Sequence, residues 1–134
     1  MNDQTIEQEI QAKGLTAPRV TPADIESAIA SEYYFSGEHG VIGACEANWL
    51  ATRDLKVFPL DLLTFCVLVL KNGFTVTGES ACASHENFDA ELGRKIARQN
   101  AISKVWPLLG YELRSQLSKA ARRHDPFAQW QPNA

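Results

Sequence analysis

The stretch TFCVLVL (64–70), KNGF (71–74) and TVTGE (75–79) constrains this chain most, because Asn-Gly between two β-branched, apolar runs specifies a β-hairpin. A two-residue type I′ turn needs positive φ at both central positions, which Asn72 and Gly73 tolerate. Such a turn fixes the register: Leu70 pairs with Thr75, Val69 with Val76, Leu68 with Thr77, Val67 with Gly78 and Cys66 with Glu79. One face then carries Phe65, Val67, Val69 and Val76; the other carries Cys66, Leu68, Leu70, Thr75, Thr77 and Glu79. The first strand is apolar on both faces and is expected to lie inside a sheet of three or more strands. A carboxylate among Cys66, Leu68 and Leu70 is costly to bury alone, so Glu79 is expected to bind a cation or a ligand hydroxyl.

Beyond the hairpin, residues 84–89 supply helix-start side chains, and 89–106 reads as a helix that stops before Pro107. Residues 111–123 read as a further basic helical segment. Leu92, Ile96, Gln99, Ile102, Ser103 and Trp106 recur at helical spacing as the expected core stripe. Gly93, Ala97, Asn100, Ala101 and Lys104 make a second stripe, mostly small, which admits another backbone or a flat ligand. Upstream, Thr21-Pro22 reads as a helix cap and first helical position, with an amphipathic helix over 23–33. Residues 36–61, with Gly37, Gly40 and Gly43, read as a long connection that Trp49 and Leu50 are expected to pin to the core. The expected architecture is α+β: a small antiparallel sheet packed on a long helix, with an N-terminal and a C-terminal helix. Residues 1–20 are expected to form a mobile arm or a fraying helix, 21–123 a single domain, and 124–134 a loosely docked tail.

Bulk properties bound the function. At 134 residues, 45% hydrophobic and 22% charged, the chain suits one packed core rather than a disordered or fibrous state. The longest apolar run, 65–70, is far below the roughly 18 residues of a membrane span, and the opening MNDQTIEQEI is too polar for a leader. Cys45, Cys66 and Cys82 are odd in number and widely spaced, so the expected compartment is the reducing cytoplasm. The net charge of −3 hides a division: residues 1–93 carry five basic and fourteen acidic side chains, while 94–123 carry eight basic and one acidic. Basic charge gathered in the last third points to a local anionic partner. Nucleic acid is disfavoured as that partner by the overall pI of about 5.6.

Tests for catalysis and metal binding return little. Ser80, Cys82 and Ser84 lie near His85 but lack a nucleophile elbow, and His39, His85 and His124 are scattered without ligand spacing. No cofactor motif is present, and a binding role is expected rather than an enzymatic one. Anion binding can draw on Arg94, Lys95, Arg98, Lys104 and Arg114, with Phe88, Trp106 or Tyr111 as stacking surfaces.

The string LLTFCVLVLKNGFTVTGESACASHENFDAELGRKIARQNAISKVWPLLGYELRSQL (62–117), with TPADIESAIASEYYF upstream, resembles a widespread family of small bacteriophage proteins carried in accessory regions of phage and prophage genomes. The pattern is also similar to the first type of Thoeris anti-defence protein. That resemblance implies a phage-encoded sponge that binds cyclic ADP-ribose isomers, and in some members cyclic di- or trinucleotides, without degrading them. It further implies a dimer or hexamer with ligand sites at subunit junctions. Carried onto this chain, it implies Phe88 stacking on adenine, Asn100 and Lys104 bonding ribose or phosphate, Arg98 and Arg114 balancing pyrophosphate, and Glu79 accepting a ribose hydroxyl. The alternative is a protein-interaction module that inhibits or redirects a host enzyme through its basic helix.

Overall fold

The structure, a computed structural model, describes residues 2–15, 17–47 and 59–123. Trp49, Leu50 and the 124–134 tail lie outside the described residues. The chain divides into two compact units, one of residues 27–105 and one of residues 1–26 with 106–134. No helix among the described residues is long and apolar enough to cross a membrane.

The first unit is built on an antiparallel sheet of β1 (Ile29–Ser36), β2 (Leu63–Leu70) and β3 (Thr75–Ala81), in that order, so β2 is central as its two apolar faces require. The fold is α+β, with the long helix α4 (Ala90–Arg122) packed on the sheet.

The hairpin forms where expected but in a different register. Leu70 N donates to Phe74 O and Gly73 N to Leu70 O, each at 2.8 Å, so the loop is the three residues Lys71, Asn72 and Gly73. Gly73 takes φ +88°, and the Asn72 side chain accepts from Phe74 N at 2.9 Å. This is the three-residue hairpin closed by a left-handed glycine, which uses the same Asn-Gly letters as the two-residue turn. The pairs are therefore Val69 with Thr75, Leu68 with Val76, Val67 with Thr77, Cys66 with Gly78 and Phe65 with Glu79. A one-residue slip exchanges the faces of a strand. Val76 joins Cys66, Leu68 and Leu70 in the core, and Glu79 moves to the exposed face beside Phe65, which corrects its expected burial.

Strand β1 and the helix α3 (Gly37–Ala47) correct the reading of a helix over 23–33 and a connection over 36–61. The helix α2 ends early, at Pro22–Ala28, because the aromatic run Tyr33, Tyr34 and Phe35 favours a pleated surface. A bulge between Ile29 and Ser31 adjusts the alternation, so that Glu32, Tyr34 and Ser36 pair with Leu68, Cys66 and Thr64. Helix α3 opens on a reciprocal cap: Ser36 Oγ accepts from His39 N at 3.1 Å, and His39 Nδ1 accepts from Ser36 N at 3.3 Å.

Helix α4 buries the stripe expected to meet a ligand or a backbone. Gly93, Ala97 and Ala101 are buried together with Ile102 and Val105, whereas Leu92 and Ile96 of the expected core stripe are 53% and 44% exposed. The reason is Gly78: a Cβ there would overlap the Ala97 carbonyl oxygen and the Ala101 amide nitrogen, so helix and strand backbones touch and only small side chains fit. The helix also continues through Pro107 instead of ending there. Pro107 and Ser103, whose carbonyl loses its helical donor, are both exposed, so water can take the donor's place.

In the other unit, the helix α1 (Asp3–Ala12) is capped by Asn2, whose side chain accepts from Thr5 N at 2.8 Å. Arg19 holds Glu7 with two bonds of 2.7 and 2.6 Å, and Trp106 Nε1 donates to Asp3 at 3.2 Å.

Candidate functional site

The sheet end where β1 closes and β2 opens gathers side chains from four elements around a cavity of about 260 Å³. Tyr34 comes from β1, Glu38 and His39 from the first turn of α3, and Asp61 from a single 3-10 turn, Leu60–Leu62, before β2. Phe88 follows a second 3-10 turn, His85–Asn87, just before α4, and Arg94 comes from the start of α4, whose N-cap Asp89 accepts from Leu92 N at 3.1 Å.

Three chemical features meet in these walls. Tyr34, Phe35 and the half-buried Phe88 supply aromatic surface. Burial pushes the Tyr34 phenol up to about 12, with Cys66 and Glu32 nearby adding to the shift, so it remains a protonated donor at neutral pH. Burial likewise pushes the Cys66 thiol up, which leaves it unreactive. Arg94 brings a cation, and Asp61 brings a carboxylate whose Oδ2 lies 2.7 Å from His85 Nε2. The other Asp61 oxygen, Oδ1, is shielded from solvent and has no hydrogen-bond partner among the described residues. Among the described residues, no three His, Cys, Asp or Glu side chains are grouped to hold a metal ion.

The residues expected from sequence to bind ligand are dispersed. Phe88 lines the cavity. Asn100 Nδ2 donates to Glu79 O at 2.7 Å and Lys104 Nζ to Thr77 O at 2.6 Å, so both cover the outer edge of β3. Arg98 Nε pairs with Glu32 on β1 at 2.9 Å. The Glu79 side chain is exposed, and Arg114 is exposed on α4 in the helical unit. Sequence reasoning named Arg94 only as one cation among several and missed Tyr34 and Asp61 altogether, because no local motif marks residues that meet only through the fold.

The helical unit holds a cavity of similar volume, about 270 Å³, against α1. Its walls are mostly apolar, and its carboxylates already accept from Arg19 and Trp106. It offers a ligand little orientation.

Residues 20–117 match the phage protein (N4 Gp49/phage Sf6 gene 66) family. The chain belongs to that family. The match takes in β1, α3, the hairpin, Phe88 and the part of α4 that carries Arg94, so the whole wall of the candidate site lies within the shared Gp49 region. No curated protein and no solved structure matches the chain.

Proposed function

We propose that this phage protein binds a cyclic nucleotide immune signal, a cyclic ADP-ribose isomer or a cyclic di- or trinucleotide, and sequesters it without degrading it. The observation that carries this reading is the cavity beside Phe88, where an aromatic ring, the Arg94 cation and the Asp61 carboxylate share one wall. Flat ring, cation and carboxylate suit a base, a phosphate and a sugar hydroxyl respectively. At about 260 Å³ the cavity is smaller than the roughly 300 Å³ at which drug-sized pockets begin, so it takes one part of such a ligand. On this reading a second copy covers the rest, in keeping with the homo-oligomer and junction sites implied by the sequence resemblance. The exposed Arg114 of that copy is suited to the pyrophosphate.

Calorimetric titration with cyclic ADP-ribose isomers and cyclic dinucleotides tests the proposal. At least one is expected to bind tighter than about 1 mM, or roughly −4 kcal/mol, and none doing so would sink it. Ligand recovered intact after heating the complex separates sequestration from hydrolysis.

The exposure of Leu92 and Ile96, one helical turn apart on α4, favours a second reading, in which the chain blocks or redirects a host enzyme. Recovery of one stoichiometric host protein, with no nucleotide in the purified material, would select it.

A further inference from the structure

We infer that His39 binds the ligand in this cavity, its ring N–H donating to a phosphate oxygen that Arg94 also holds; the inference rests on the nucleotide-binding reading above. Helix α3 begins Ser36-Gly37-Glu38-His39, the spacing of a capping box with histidine where glutamate or glutamine ordinarily stands. Histidine makes the return bond with one ring nitrogen: Nδ1 accepts from Ser36 N at 3.3 Å, while Ser36 Oγ accepts from His39 N at 3.1 Å. A ring nitrogen that accepts a backbone N–H carries no hydrogen, so the neutral imidazole bears it on Nε2, at the far edge of the ring. The cap therefore fixes one donor in place before any ligand arrives, on a side chain that is exposed and lines the cavity.

The walls decide what that donor meets. Phosphate oxygens only accept, and the Glu38 and Asp61 carboxylates in the same walls accept too, so they repel a phosphate and suit sugar hydroxyls. Arg94 and His39 donate, one as a planar cation and the other as a fixed N–H. They come from different helices, α4 and α3, and a cavity of about 260 Å³ brings one phosphate within reach of both. The donor is the side chain rather than the helix start, since Ser36 Oγ already takes the His39 amide. A glutamate at this position would close the same box but set a third carboxylate against the phosphate.

Calorimetry with cyclic ADP-ribose isomers and cyclic dinucleotides, on the wild type, His39→Glu and His39→Gln, tests the assignment. His39→Glu keeps the capping box and removes the donor, so it is expected to hold the wild-type urea midpoint and to bind about tenfold to a hundredfold more weakly. His39→Gln keeps both the box and an N–H donor and should stay within about fivefold of the wild type. Nitrogen NMR of the His39 ring needs no variant to fold: Nδ1 is expected without hydrogen in the unliganded wild type, and the Nε2 resonance should move as ligand saturates the protein. If His39→Glu folds and binds as tightly as the wild type, or if Nε2 stays unmoved at saturation, His39 does not meet the ligand and the inference fails while the binding function stands. If no cyclic nucleotide binds the wild type, both fail together.

Discussion

A methyl group added at Gly78 would lie 2.9 Å from the Ala101 Cα and would overlap backbone atoms of α4 that cannot swing away. Gly78→Ala is therefore expected to cost about 3 kcal/mol, read as a lower midpoint in urea denaturation with an unchanged slope. A loss within experimental error would contradict the close approach of β3 and α4. Phe88 lies at the other end of the residue scale, half-buried and lining a cavity rather than filling the core. Phe88→Ala is expected to leave the far-UV spectrum unchanged and to weaken cyclic nucleotide binding by about 1–3 kcal/mol, the usual worth of one base stacked on an aromatic ring. Glu79 shows how a single residue can mislead. Asn-Gly serves both two- and three-residue hairpins, the two differ by one position, and that position decides whether Glu79 is buried or exposed.

At the scale of elements, α4 is held to both sheet edges by polar side chains flanking its small-residue stripe. Arg98 reaches Glu32 on β1, and Asn100 and Lys104 reach the outer carbonyls of β3. The stripe itself was legible, but not which of a backbone or a flat ligand it admits; that it admits the backbone at Gly78 follows only from the register. Asn100→Ala is expected to destabilise the fold by about 1 kcal/mol while changing ligand affinity less than twofold. Weaker binding at unchanged stability would instead place Asn100 at the ligand. Helix α1 carries a pH dependence of known sign. The Arg19 bonds, helped by Gln11, hold the Glu7 carboxyl at about 2, against 4.5 for the free group. A depressed carboxyl stabilises the folded state above its unfolded value and loses that contribution as pH falls through the folded one. The attachment of Arg19 to α1 should thus be complete above about pH 5 and weaken from pH 4.5 toward 2. Carbon NMR of the Glu7 carboxyl checks this, and a midpoint near 4.5 would contradict it.

Over the whole molecule, what could be read in advance was what is local: the hairpin's place, the central position of β2, the start of α4 and the α+β class. β1 was hidden because Ile25, Ala28, Ile29 and Glu32 keep helical spacing up to the point where the aromatic run turns the chain into a strand. The cavity was hidden for a different reason. Tyr34, Asp61 and Phe88 are far apart in sequence and share no motif, so only the sheet's pairing and the start of α4 bring them together. The basic last third of the chain, by contrast, was legible as charge, and the structure divides its use: Arg98 and Lys104 serve the fold, and Arg94 lines the cavity. The most direct test of sequestration is a mass spectrum of the small molecules released by heat from protein purified out of cells that produce the immune signal. Sequestration requires an intact cyclic nucleotide in near-stoichiometric amount; a linear product, or no nucleotide at all, would contradict it.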